Sequence, residues 1–198
     1  MTASLGDGGA ASPVRLRDEQ PAGERLVEAV QRAAFGDEGD AVARLLPLLR
    51  GLILERGGCS LVAEEPLTAE AVGHVMCTRA LLDTPRRLVE VQVLSPLGVL
   101  PAYRSRGVGA ALVAAAVDRA AAEGVPLVFL EGSPRYYSRF GFRPGGDLGF
   151  RKPSLRIPDT AFQVIALPAH EAWMTGTLVY PDAFWECDCV GLREAAGG

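Results

Sequence analysis

Two arginines and two glycines stand together in Arg104-Ser105-Arg106-Gly107-Val108-Gly109, directly ahead of the alanine-rich stretch ALVAAAVDRAA. A glycine inside a helix costs about 1 kcal/mol against alanine. A pair of them at a helix start is accounted for when a ligand must come close to the backbone. The first turn of a helix has unpaired N–H groups and the positive end of the dipole. With no side chain at Gly107 or Gly109, a phosphate can rest on those amides. Arg104 and Arg106 add charged donors.

Several arrangements compete for such a turn. A P-loop requires G-x-x-x-x-G-K-[ST], and no lysine follows here. A dinucleotide fold requires G-x-G-x-x-G, whose third glycine is Leu112 in this chain. Glu131 ends the next apolar run, about where a ribose-binding acid would lie, but no further βαβ units follow. A plain glycine turn with solvated arginines is the simplest alternative. The remaining arrangement is R/Q-x-x-G-x-G/A, which Arg104 to Gly109 match.

The elements that position this turn can be read from periodicity. VRLRDE (Val14 to Glu19) alternates as a short strand. A helix follows Pro21, with Leu26, Val30 and Ala34 on one face, and a second runs from Asp40 to about Leu49 with a kink at Pro47. Strands are expected at Cys59 to Glu65, Glu70 to Leu82 and Arg86 to Leu100. Pro96 and Gly98 punctuate the last of these and suggest a bulge or a parting of neighbours. The alanine-rich helix stops at Gly124. VPLVFLEG (Val125 to Gly132) is apolar throughout, as in a strand buried on both faces. A short helix starts at Pro134, and GFRPGGDLGF and AFQVIALPAH read as two more strands. The order is β-α-α-β-β-β-α-β-α-β-β, one α/β sheet of mixed direction.

The chain of 198 residues fits one domain, and 48% hydrophobic content marks it as globular. A net charge of -4 speaks against a nucleic-acid binder. No apolar run spans a bilayer, and the first residues carry no signal pattern, so no membrane partner and a cytoplasmic location are expected. Cys59 and Cys77 lie in strand-like segments as small buried hydrophobes. Cys187 and Cys189 have no evident partner ligands, so no metal and no disulfide are expected there.

The turn, the preceding LGVLPAYR (Leu97 to Arg104) and the following YYSRFGF (Tyr136 to Phe142) together resemble the GNAT family of acetyl-CoA-dependent N-acetyltransferases. GSPRYYSRFGF and GTLVYPDAF are most similar to its YhbS-like subgroup. The resemblance implies a single GNAT-like domain over residues 13–182, between tails at 1–12 and 183–198, with a mixed, mostly antiparallel sheet splayed at its centre and helices on both faces. It implies acetyl-CoA as co-substrate. The pyrophosphate would lie on the amides of Ser105, Arg106, Gly107, Val108, Gly109 and Ala110, beside Arg104. The backbone of Leu97, Gly98 and Val99 would pair with the pantetheine arm, the Val99 amide facing the thioester oxygen. Ser133 stands where the family often has an asparagine for that arm.

The chemistry then requires a neutral amine, although a free alkylamine has a pKa near ~10.4. It also requires a donor for the growing oxyanion and a proton for the leaving thiolate. Tyr137 holds the tyrosine of the family's Y-x-x-x-G-F element and is the expected acid, with Tyr136 packing on the sheet. Among Glu90, Glu131 and His74, Glu131 is favoured as base because it ends a strand beside the cleft. The partner would be a small-molecule or peptide amine, and the protein a monomer or homodimer. A non-catalytic acetyl-CoA sensor and a Rossmann-like dinucleotide binder are the alternatives.

Overall fold

Alternating burial along the strands explains the layering. In β4 (Leu88–Val99), Val91 and Val93 face one apolar cluster, while Leu94 faces another on the opposite side. In β5 (Leu127–Glu131), Leu127 and Phe129 face the first cluster, and Val128 and Leu130 the second. A strand apolar on both faces must sit at the centre of a covered sheet, and β5 does. The structure is a computed structural model that describes residues 14–193.

Around these two strands lie β1 (Arg15–Asp18), β2 (Gly58–Glu64), β3 (Ala71–Asp83), β6 (Arg143–Pro144), β7 (Phe162–Ala166) and β8 (Thr177–Val179). The sheet runs β1-β2-β3-β4-β5-β7-β6, with β8 added to the far end of β3. Every ladder is antiparallel except that of β4 and β5. That parallel ladder lacks the successive βαβ units of a dinucleotide fold. Helices α1 (Glu24–Phe35) and α2 (Gly39–Arg56) cover one face, and α3 (Val108–Ala122) covers the other. Short α4 (Pro134–Tyr137) follows β5, and α5 (Asp182–Glu186) follows β8.

Three local outcomes differ from the pattern reading. The buried face of α1 is Val27, Val30 and Gln31, with Leu26 57% exposed. The helix is rotated so that Gln31 reaches His74 on β3, its Nε2 lying 2.7 Å from Nδ1. Helix α2 continues through Pro47 to Arg56, with the Pro47 ring on the exposed side of the helix, away from the core. Residues 183–193, expected as part of a tail, bury Phe184, Cys187 and Val190 in the core.

Candidate active site

The site begins as a defect in the sheet. Leu97 of β4 opposes Val75 of β3, but Leu94 opposes Cys77, so Ser95 and Pro96 share one partner, Met76. Pro96 has no N–H for a ladder, and a bulge bends its strand. Beyond the pairs Gln92↔Val128 and Val93↔Phe129, β4 and β5 no longer bond. Leu100 donates its N–H to Val72 O at 2.9 Å. By antiparallel alternation, Gly98 then bonds β3, while the N–H and C=O groups of Leu97 and Val99 turn away from β3 toward the gap. A cleft of about 680 Å³ opens there, with Leu94, Ser95, Pro96 and Leu97 on one wall and Glu131, Gly132 and Tyr137 on the other.

The glycine turn lies at the end of β4. Ser105 (φ 59°) and Gly107 (φ 85°) are both left-handed, which winds the turn tightly and suits a glycine at 107. The first helical bond of α3 is Ala111 N–H to Gly107 O, 3.0 Å. No side chain caps this helix start, so the amides of Val108, Gly109 and Ala110 lack helical partners. Arg104 donates to Ala34 O (2.8 Å) and Val99 O (3.4 Å), tying the end of α1 to the end of β4. Arg106 is exposed, its guanidinium 5.3 Å from the Tyr103 ring centre.

Both tyrosines of α4 face this region, in different directions. A Cβ placed on Gly109 would lie 2.4 Å from the Tyr136 hydroxyl, so that phenol sits against the first turn of α3. Its ring is held by Arg139 (4.3 Å), by Tyr137 edge-on (4.9 Å) and by Phe140 (5.6 Å). A Cβ on Gly132 would lie 2.3 Å from the Tyr137 ring, so the absence of a side chain there is what admits the ring to the cleft. Burial, and secondarily Tyr136, pushes the Tyr137 phenol well above the usual tyrosine range, which keeps it protonated. Ser133 precedes α4, exposed, with its carbonyl accepting the Tyr136 and Tyr137 amides.

The three acid–base candidates separate clearly. Glu131 lines the cleft with Tyr137. Burial raises its pKa, opposed by the Tyr180 phenol and by the Gly191 N–H, which donates to Oε2 at 3.0 Å. Glu90 is exposed and pairs with Arg79. His74 is fully buried, its Nε2 2.9 Å from Ser60 Oγ, and Ser60 donates to Glu19 at 2.6 Å. Burial lowers the His74 pKa to about 4. Neither Glu90 nor His74 lines the cleft.

The far wall comes from residues that pattern reading did not single out. Phe35, Glu38, Ala41, Val42 and Leu45 arrive from the start and approach of α2, and Asp188 to Arg193 from the chain after α5. Leu192 N–H reaches Arg156 O at 3.4 Å, and Asp188 bonds Arg156 (2.9 Å) and Arg193 (2.5 Å). Cys187 is buried, and Cys189 borders the cleft with its sulfur 3.5 Å from Cys187 O. Burial raises the pKa of both thiols, that of Cys189 to about 11. Among the described residues, no three His, Cys, Asp or Glu side chains converge as a metal site. None of the described helices is long and apolar enough to cross a membrane.

A mixed sheet parted beside its parallel β4–β5 ladder, with a glycine turn and helix closing the end of the gap, defines a GNAT-type N-acetyltransferase fold. The chain belongs to that family: the family model described as an acetyltransferase (GNAT) domain matches residues 17–145. An uncharacterized N-acetyltransferase, YjhQ of Escherichia coli (strain K12), is 35% identical over 156 residues, 76% of this chain and 82% of the relative. The crystal structure of YhbS, a GNAT family N-acetyltransferase from Escherichia coli in complex with CoA, superposes with a TM-score of 0.75. It shares 29% identity and covers 88% of this chain and 93% of its own. A GNAT family acetyltransferase from Brucella melitensis in complex with acetyl-CoA has the same fold, with a TM-score of 0.67, 24% identity, and coverage of 87% and 99%.

Proposed function

We propose that the protein moves an acetyl group from acetyl-CoA to a primary amine by direct attack. The observation that carries this reading is the meeting, at one end of the gap, of an uncapped helix start with outward-turned strand amides. The similarity to YhbS, whose structure holds CoA, supports it.

Acetyl-CoA supplies the activated acyl carbonyl and the thiol leaving group. The amides of Val108 to Ala110 receive its diphosphate, and exposed Arg106 adds charge to that contact. Arg104, engaged with two carbonyls, acts mainly by fixing the turn. The outward groups of Leu97 and Val99 bond the pantetheine arm, and the exposed Ser133 hydroxyl takes a further contact. The Val99 N–H meets the acyl oxygen as charge grows there, a contribution of about 10²–10³ in rate. Glu131 takes the proton of the attacking amine, its raised pKa narrowing the gap to the amine's ~10.4. Tyr137, held protonated by burial, returns a proton to the departing sulfur.

Calorimetry with acetyl-CoA tests the reading. Wild type should bind, and Gly109→Asp, which puts a carboxylate beside the diphosphate, should bind at least tenfold more weakly. Equal affinity in both refutes the placement. Binding to NAD but not to CoA would favour a dinucleotide protein. Tight binding with no turnover on any amine would favour a sensor.

A further inference from the structure

The strand segment that carries the Val99 N–H is held on one edge. From Leu97 onward β4 pairs with β3 through Leu97↔Val75, Gly98↔His74 and Val99↔Gly73, and β5 no longer pairs with the other edge. The bulge at Ser95 and Pro96 lies just behind. Gly98, with no side chain to restrict its backbone, sits in the middle. The Val99 N–H belongs to the peptide plane that follows Gly98, so the Gly98 torsion decides where that N–H points.

Side chains alternate along a strand. Leu97 and Val99 pack with the apolar cluster on the α3 side, and Val99 Cγ2 lies 3.6 Å from a Cβ placed on Gly109. Gly98 therefore faces α1. A Cβ on Gly98 would lie 2.4 Å from Gln31 Oε1, 2.9 Å from Gln31 Cδ and 3.0 Å from Ala34 Cβ. The Gln31 carboxamide thus occupies the place of the missing side chain. Its Nε2 donates to His74 O at 3.2 Å, on the residue paired with Gly98, and lies 2.7 Å from His74 Nδ1. These bonds fix the carboxamide plane and leave Oε1 against Gly98. Gln31 is fully buried, and Oε1 has no hydrogen-bond partner among the described residues. An unpaired buried acceptor is costly, so this placement is not one that stability alone selects. Arg104 secures the same helix end, joining Ala34 O to Val99 O.

We propose that Gln31 is a positioning residue for acyl transfer, its carboxamide holding the Gly98–Val99 peptide so that the Val99 N–H points at the acyl oxygen. The inference rests on the acetyltransferase reading above. Gln31 does not line the cleft and acts through Gly98. A donor aimed in advance at the growing negative charge needs no reorganisation during reaction. Without the carboxamide, the Gly98–Val99 peptide can tilt, and the donor loses its aim while the diphosphate contacts remain.

The experiment reads the donor directly and needs no acceptor. Acetyl-CoA labelled with ¹³C at the carbonyl is bound to the protein and followed by NMR. A hydrogen bond to the carbonyl oxygen moves that resonance downfield. Calorimetry compares acetyl-CoA with S-ethyl-CoA, which lacks the oxygen, and wild type should bind S-ethyl-CoA about 2- to 10-fold more weakly. Gln31→Met keeps the side chain unbranched and removes its amide. This variant should lose most of the downfield shift and bring the two affinities within about twofold of each other, with affinity for CoA itself unchanged. Gly98→Ala pushes the carboxamide off the strand and should lose the shift in the same way. Retention of the wild-type shift and affinity ratio in Gln31→Met, whatever its Tm, overturns the inference, since a purely structural residue would alter Tm alone. If Gln31→Met does not fold, Gly98→Ala decides by the same two readouts. Acetyl-CoA bound to wild type without a downfield shift refutes both the Val99 donor and this role of Gln31, and leaves the cofactor site standing. Failure of acetyl-CoA to bind refutes the acetyltransferase reading as well.

Discussion

At the scale of single residues, the two adjacent tyrosines occupy separate places. Tyr137 faces the cleft and Tyr136 touches Gly109. Tyr137→Phe keeps the ring and removes the proton, so turnover should fall about 10²-fold or more with acetyl-CoA affinity nearly intact. Tyr136→Phe should leave turnover within a few-fold. Its hydroxyl is expected to matter when Gly109 changes. Gly109→Ala places a methyl 2.4 Å from that hydroxyl and must displace the ring. Adding Tyr136→Phe removes the clashing atom, so the double variant should recover acetyl-CoA affinity relative to Gly109→Ala alone. A simple sum of the two losses, measured by calorimetry, would show that the residues do not interact. The turn and Tyr137 were legible in sequence because glycine spacing and a tyrosine beside a Gly-Phe pair are local signals. Phe35, Glu38 and Leu192 were not, because only the folded chain brings positions so distant in sequence to one cleft.

At the scale of elements, periodicity found the long strands and missed what is short or bent. Pro96 and Gly98 signalled the parting of β4 from β5, since a residue without an N–H and one without a side chain both weaken a ladder. The three residues of β8 and the five of α5 are too few to show a period. The range 141–150, expected as a strand, holds only the two-residue strand Arg143–Pro144, extended by one bond from Gly145 N–H to Phe162 O, because Gly146 and Gly149 leave little to pack. Helix α2 offers a stability test. Proline inside a helix is about 3 kcal/mol worse than alanine, while its stiffening of the unfolded chain returns about 0.4–1 kcal/mol. Pro47 lies on the exposed side, where no packing depends on its ring. Pro47→Ala should therefore add about 2 kcal/mol and raise Tm by roughly 4–8 °C. An unchanged or lower Tm in a thermal melt would mean that the ring of Pro47 contributes to seating α2.

At the scale of the whole molecule, α1, β2, β3, α2 and the chain just after β1 are joined by one buried polar network. Gln31 donates to His74, His74 meets Ser60, Ser60 donates to Glu19, and Arg50 bonds Glu19 at 2.8 Å. Since Ser60 donates to Glu19, the imidazole Nε2 must donate to Ser60, and Nδ1 accepts from Gln31. This arrangement requires neutral His74. The unfolded chain takes up a proton near the ordinary histidine value of 6.5, whereas the folded chain resists until about 4. The unfolded state therefore binds more protons between those values, and acidification favours unfolding. The stabilisation is complete above pH 6.5 and lost as pH falls toward 4. Between pH 7 and 5 the loss should be on the order of 2 kcal/mol. Glu19 titrates lower, held down by Arg50 and Ser60 against its burial, and adds its loss only in stronger acid. Glu131, with a raised pKa, opposes the trend. Comparing wild type with His74→Gln isolates the histidine, since both retain Glu19 and Glu131. Urea unfolding should show the gap between them narrowing by about 2 kcal/mol from pH 7 to 5. NMR gives a second readout in the unaltered protein, where one of the two histidines should remain neutral down to about pH 4. Two imidazoles titrating near 6.5 would refute the buried, neutral network.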